Sequence, residues 1–126
     1  MARLEELKTG PALVVCALVV NERDETAEYL GSLSPAGRKR LDYVFRRLAE
    51  LGRVGFRDET LKRLEGVVWE IKEHHTSTRL FCFTSGRRFI VCTHAARKPA
   101  GRARYQAEID KVLRLYDLCL AEGVLP

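Results

Sequence analysis

The stretch Ala12 to Val20, ALVVCALVV, is the feature that most limits what this chain can become. It is apolar throughout, rich in β-branched residues, and follows Gly10-Pro11. A helix that crosses a bilayer needs about 20 apolar residues, and the run from Pro11 to Val20 has only ten. It also lacks the basic start, long apolar core and small-residue cleavage site of a secretory signal. What remains is a buried strand, and the expectation is a cytoplasmic protein that does not enter membranes.

The rest of the chain supplies partners for that strand. Thr26 to Leu33 reads as a short helix. Ser34-Pro35 then gives an N-cap with proline at the first helical position. Ala36 to Leu51 places Leu41, Val44, Phe45, Leu48 and Leu51 at helical spacing, with Arg38, Lys39, Arg40, Arg46 and Arg47 on the other face and Gly52 as the stop. Gly52 to Leu64 reads as a loop. In the next segment Val67, Trp69 and Ile71 alternate with Val68, Glu70 and Lys72, the period of a strand. Glu73 to Ser77 turns the chain, and Thr78 to Thr84 and Arg87 to Thr93 form two strands joined through Ser85-Gly86. A basic loop, Ala95 to Ala103, leads into a helix from Arg104 to Ala121 with Ile109, Val112, Leu113, Tyr116 and Leu120 on one face and Gly123 beyond it. For 126 residues, 46% of them hydrophobic, this predicts a single α+β domain spanning residues 1–126. Its sheet is expected to be small and antiparallel-rich, with about four strands, and to pack N-terminal helices and a C-terminal helix.

Charge separates the two halves. Met1 to Thr78 carries thirteen basic and thirteen acidic residues, whereas Arg79 to Arg114 carries nine basic residues against Glu108 and Asp110. Concentrated positive charge raises the local concentration of anions and is a footprint of nucleic-acid binding. The four cysteines, Cys16, Cys82, Cys92 and Cys119, are far apart in sequence and sit in apolar patterns. Metal sites use close pairs, so these are expected to be small core residues, and neither a metal nor a cofactor is expected. His74 and His75 are read as turn residues, and Trp69 as core.

The hairpin makes a geometric prediction. With Ser85-Gly86 as a two-residue loop, Thr84 pairs with Arg87 and position 79 lies opposite 92. Arg79, Phe81, Phe83, Arg88, Ile90, Cys92 and His94 then share one face, which is left open, while Leu80, Cys82, Phe89 and Val91 pack under the helices. Cys82 and Cys92 point apart on this register. Arg79 and His94 become neighbours beside the loop bearing Arg97, Lys98, Arg102 and Arg104. A phosphodiester placed there meets several cations and one group that titrates near neutrality. Arg79 also has a structural alternative, an ion pair with Glu70 or Glu73.

Three segments resemble the toxins of bacterial type II toxin–antitoxin systems, specifically the RelE/HigB-like group related to phage proteins. Leu64-x-Gly66, with Trp69-Glu70-Ile71-Lys72, is similar to one strand motif of that family, and Arg79-Leu80-x-Cys82 resembles another. His94-Ala95-Ala96-Arg97-Lys98, followed by Glu108-Ile109, resembles its histidine-and-lysine loop leading into a helix. The resemblance implies a RelE-like α+β fold and a ribosome-dependent endoribonuclease that cuts mRNA by attack of a ribose 2′-hydroxyl on the adjacent phosphate. It implies no metal, and silencing by a cognate antitoxin of helix-turn-helix type. Carried over by position, Arg79 holds the scissile phosphate, His94 moves a proton, and Lys98, with Arg97, stabilises developing negative charge. Lys72, Arg88, Arg97, Arg102 and Arg104 are the expected RNA contacts. This chain has Ala96 where the family has phenylalanine, Lys72 for arginine and Arg97 for lysine. Two other functions stay open at this point: a ParE-like gyrase poison without nuclease activity, and a phage-derived accessory protein that binds nucleic acid without cleaving it.

Overall fold

The computed structural model describes residues 1–57 and 59–126. Its elements run β1 (Ala2–Thr9), β2 (Val14–Val20), α1 (Glu25–Ser32), α2 (Pro35–Leu51), a 3-10 turn (Arg53–Gly55), β3 (Leu61–Glu65), β4 (Val68–Glu73), β5 (Thr78–Ser85), β6 (Phe89–Arg97) and α3 (Arg102–Glu122). The six strands form one sheet in the order β1-β2-β6-β5-β4-β3. The sheet is mixed: β2 runs parallel to β6, with Val15 opposite Ile90 and Ala17 opposite Cys92, while every other pair is antiparallel.

Helix ends follow local chemistry. Asp24 accepts a 2.8 Å hydrogen bond from the Ala27 amide at the start of α1. Ser34 accepts one of 3.1 Å from Gly37, with Pro35 as the first residue of α2. Gly123 takes the left-handed conformation that closes α3.

Both faces of the sheet are covered, which explains the unbroken apolar run of β2. On one face α2 presents Leu41, Phe45 and Leu48 to Leu13, Val15, Ile71, Leu80, Cys82, Ile90 and Cys92. On the other, α3 presents Ile109, Val112 and Cys119 to Cys16, Leu18, Val68, Phe81, Phe83 and Val91. Leu120, expected on the buried face of α3, is 53% exposed, and Cys119 takes the inward position.

Two further expectations are corrected. The sheet has six strands rather than about four, because β1 and part of the expected loop (β3) are edge strands. Asp58, within that loop, lies outside the described residues. Each edge strand carries an irregularity, at Glu6/Lys8 and at Arg63/Glu65. Leu4 and Leu7, three residues apart, serve opposite faces, as do Leu61 and Leu64, and the irregularities turn over the residues that follow, Lys8 and Glu65. A bulge breaks the two-residue period by which strands are recognised.

The hairpin register also differs. The turn takes three residues, Gly86 to Arg88, and Ser85 pairs with Phe89, so Cys82 lies directly opposite Cys92. Their Sγ atoms are 3.3 Å apart and both thiols are free. An odd register shift turns a strand over, which carries Ile90 and Cys92 to the α2 face. A bulge between Cys92 and His94 then shifts the pairing once more, so His94 lies opposite Phe81 on the α3 face.

Gly10 shows how closely α2 is seated. The Ala12 and Leu13 amides both donate to the Ala49 carbonyl, at 3.0 and 3.1 Å, and a Cβ on Gly10 would lie 2.6 Å from that carbonyl carbon. Gly10→Ala is expected to cost about 1–3 kcal/mol through overpacking. Gly31→Ala in exposed α1, with nothing within 4 Å of the added atom, should be neutral or stabilising by up to about 1 kcal/mol. Urea midpoints of the two variants against the parent measure both.

Candidate active site

Three neighbouring strands deliver the polar residues of the α3 face. Across β4, β5 and β6 the ladder runs Lys72, Arg79, Ala96 in one row and Glu70, Phe81, His94 in the next. The first turns of α3 lie over these rows and contribute Tyr105 and Glu108. The expected open face is therefore roofed. Arg79 and His94 share it with Phe81, as expected, but both are buried, at 5% and 3% exposure.

Arg79 is the most costly residue of this site. Its Nη1 donates to the Thr78 carbonyl at 3.0 Å, while Nε is buried without a partner. Among the described residues no carboxylate lies within 4 Å of it, so the expected alternative of an ion pair with Glu70 or Glu73 does not form. Glu70, 2% exposed, has Oε1 3.7 Å from the Lys72 ammonium and a buried Oε2 with no partner. Burial of an unpaired polar group costs about 1–3 kcal/mol, and more for a charged one. Tyr105 stands against both residues. Burial raises its phenol pKa, contact with Arg79 opposes the rise, and the charge of Glu70 adds to it. An arginine with a free Nε, a carboxyl with a free oxygen and a phenol form a small set of unmet donors and acceptors. A planar guanidinium in this state matches the oxygens of a phosphodiester.

His94 is held on every side. Its ring stacks on Phe81, with centroids 5.1 Å apart and planes 19° from parallel. Nδ1 lies 2.8 Å from the Thr93 hydroxyl and Nε2 3.2 Å from Glu108 Oε2. In the neutral ring Nε2–H donates to Glu108, while Nδ1 competes with the Phe81 carbonyl, 3.1 Å from the Thr93 oxygen, for the single proton of that hydroxyl. Burial lowers the pKa of His94, Lys111 lowers it further, and Glu108 and Glu25 oppose without reversing the shift. Lys111 itself bonds Glu25 at 2.8 Å, tying α3 to α1.

The other expected contacts divide. Lys72 borders the cluster. Lys98, which is exposed, follows β6 at the same end of the sheet, its amide bonded to the Ser77 carbonyl at 2.9 Å. Arg102 and Arg104 are exposed in the first turn of α3. Arg97 pairs with Thr78, whose hydroxyl meets Tyr29 of α1 at 2.9 Å, so strand alternation turns it toward the face opposite Arg79. Arg88 is in the β5–β6 turn, six residues along the strand and about 20 Å from Arg79, where it reaches the Gly10 carbonyl at 3.4 Å. The structure therefore does not bring Arg88 to this site. Tyr105 and Thr93 were not anticipated. Tyr105, Glu108 and Val112 follow helical spacing, which is the signal that places Tyr105 on the inward face.

A sequence profile of phage-derived Gp49-like proteins (DUF891) matches residues 28–117, a span that contains every member of the cluster. No curated protein matches the chain.

The depressed pKa of His94 predicts a pH dependence of stability. The unfolded histidine takes up a proton near 6.5 while the folded one resists, so unfolding binds a proton as pH falls. Stability should be fully present above 6.5 and decline as pH drops through the folded pKa. Urea midpoints at pH about 7.5 and about 5.5 should differ more for the parent than for His94→Gln. Glu73, held below the usual carboxylate range against its burial by hydrogen bonds from Thr76 and His75, acts only at lower pH.

Proposed function

We propose, for a chain that belongs to the Gp49-like family of phage-derived proteins, a family associated with toxins of toxin–antitoxin systems, that it is an endoribonuclease cutting mRNA on the ribosome. The observation that carries this reading is Arg79, buried with an unmet Nε beside the unmet Oε2 of Glu70, under a helix that begins with two arginines. Retaining such a group costs stability unless a ligand completes it, and a phosphate is the ligand that fits. Family membership implies an antitoxin partner. Neutralisation by a helix-turn-helix antitoxin is part of the proposal.

In this proposal the scissile phosphate binds Arg79 through Nε and a terminal nitrogen, and Lys98, Arg102 and Arg104 hold flanking phosphates. The ribose 2′-oxygen attacks the adjacent phosphorus as its proton passes to a carboxylate, a role this proposal gives to the free oxygen of Glu70. The 5′-oxygen leaves and takes up a proton, a role this proposal gives to the Tyr105 phenol. The products are a 2′,3′-cyclic phosphate and a 5′-hydroxyl. Negative charge grows on the nonbridging oxygens during attack, and Arg79 with Lys98 stabilises it. His94, its nitrogens engaged by Thr93 and Glu108, is assigned to positioning α3 over the site rather than to proton transfer.

Pulse-labelling of protein and DNA synthesis after induction tests the reading. Translation should stop first in the parent, with new 2′,3′-cyclic phosphate ends on mRNA. Arg79→Gln should lower cleavage on isolated ribosomes by about 10²–10³, and Lys98→Ala should lower it by less. Earlier failure of DNA synthesis, unaffected by Lys98→Ala, would point to a gyrase-directed toxin instead. Unchanged growth and synthesis would leave only a nucleic-acid-binding protein.

A further inference from the structure

A second basic surface lies on the α2 side of the molecule. A groove of about 600 Å³ runs between α2 and the segment after it, walled by Lys39, Arg40, Tyr43 and Arg47 on one side and by Phe56 and Arg57 on the other. Among the described residues two carboxylates border it. Glu73 is 7% exposed and accepts hydrogen bonds from the His75 and Thr76 amides, so its charge is used in closing the β4–β5 turn. Glu59 lies 3.8 Å from Arg57. The acid of α2 next to the groove, Asp42, is engaged by Lys8 and Arg46. Among the described residues no carboxylate lies within 4 Å of Lys39, Arg40 or Arg47, whose Nη2 instead reaches the Gly55 carbonyl.

The aromatic groups give this charge a direction. Lys39, Tyr43 and Arg47 follow one another at four-residue intervals, one line along the helix with a spacing of about 6 Å. Tyr43 is 55% exposed, and Arg47 donates to its hydroxyl at 3.2 Å, which fixes the ring by its edge and leaves a face open. The Arg47 guanidinium lies 5.6 Å from the centre of the Phe56 ring, so that cation is held in place as well. Cation, open aromatic face and cation in a row is how single-stranded nucleic acid is held, by its phosphates and a stacked base. An acidic protein segment would use the cations but has no need of the tyrosine face.

We infer that this groove binds single-stranded RNA, as a surface separate from the cluster around Arg79. It lies on the opposite face of the sheet and shares with that cluster only Lys72, which borders both, and its variants, at Lys39, Arg40 and Tyr43, test it apart from the catalytic reading. The test is fluorescence anisotropy with a 2′-O-methylated oligouridylate, which cannot be cleaved by 2′-hydroxyl attack. The double variant Lys39→Ala/Arg40→Ala should flatten the slope of log affinity against log salt by about 1.4, at about 0.7 per lost phosphate contact. Tyr43→Ala should weaken binding roughly tenfold or more at an unchanged slope. Arg3→Ala/Arg23→Ala removes equal charge elsewhere and should do neither. Arg79→Gln should keep the effects of the groove variants intact even where cleavage is lost. Circular dichroism confirms that each variant is folded. The inference is overturned if the groove variants match the Arg3/Arg23 pair, or if the oligonucleotide does not bind. It is also overturned if uridine monophosphate or inorganic phosphate competes as well as the polymer, which would mean a small-anion site. Equal competition by polyglutamate, with no effect of Tyr43→Ala, would replace RNA with an acidic protein segment.

Discussion

The parallel pairing of β2 with β6 is the constraint on which the rest of the molecule depends. Parallel neighbours cannot be joined by a tight turn, so the chain between them leaves the sheet, forms α1 and α2, and returns through β3, β4 and β5. That excursion covers one face of the central strands. The other face of β2, equally apolar, requires a second cover, and α3 supplies it. Once α3 is seated, Glu70, Arg79, Phe81 and His94 on that face are buried, and Lys72 and Ala96 at its border stay partly exposed.

The polar cluster follows from this. Arg79 and Glu70 share the face that α3 covers through the β4–β5 pairing, and His94 joins them through two successive register changes in the β5–β6 hairpin. The three-residue turn shifts the register, and the bulge at Thr93 shifts it again, returning His94 to the side of Phe81. Each ring nitrogen of His94 then has a neighbour, Thr93 or Glu108, whereas Arg79 and Glu70 each keep one unmet atom. Buried groups left unmet beside satisfied ones, on neighbouring strands, are what the proposed phosphate would complete.

Much of the scaffold was legible in the sequence for simple reasons. Ala12 to Val20 is apolar on both alternations, and a strand of that kind has to be central. The helices announce themselves through Ser34-Pro35, Gly52 and Gly123. The edge strands were hidden because the few apolar residues of each, Leu4 and Leu7 in β1 and Leu61 and Leu64 in β3, divide between two faces and give no one-face alternation. The register of the hairpin was hidden because Ser85-Gly86 permits a two-residue or a three-residue turn, and only packing of both faces chooses. At the site, charge pattern and resemblance pointed to Arg79 and to the cations of the following loop, and the structure sets Arg88 apart from them. Tyr105 was written in the helical spacing with Glu108 and Val112. The missing ion pair of Arg79 is a matter of distance, and no pattern of residues shows it.

The central claim is that Arg79 and Glu70 are held for a ligand and not for the fold. Thermal and urea unfolding of the double variant Arg79→Met/Glu70→Gln, measured beside RNA cleavage, tests it directly. Replacing unmet buried charge by uncharged groups of similar size should leave stability unchanged or raise it by about 1–4 kcal/mol, while cleavage is abolished. A loss of about 3–5 kcal/mol, the cost of breaking a working buried pair, would show that the cluster serves the structure and would contradict the account.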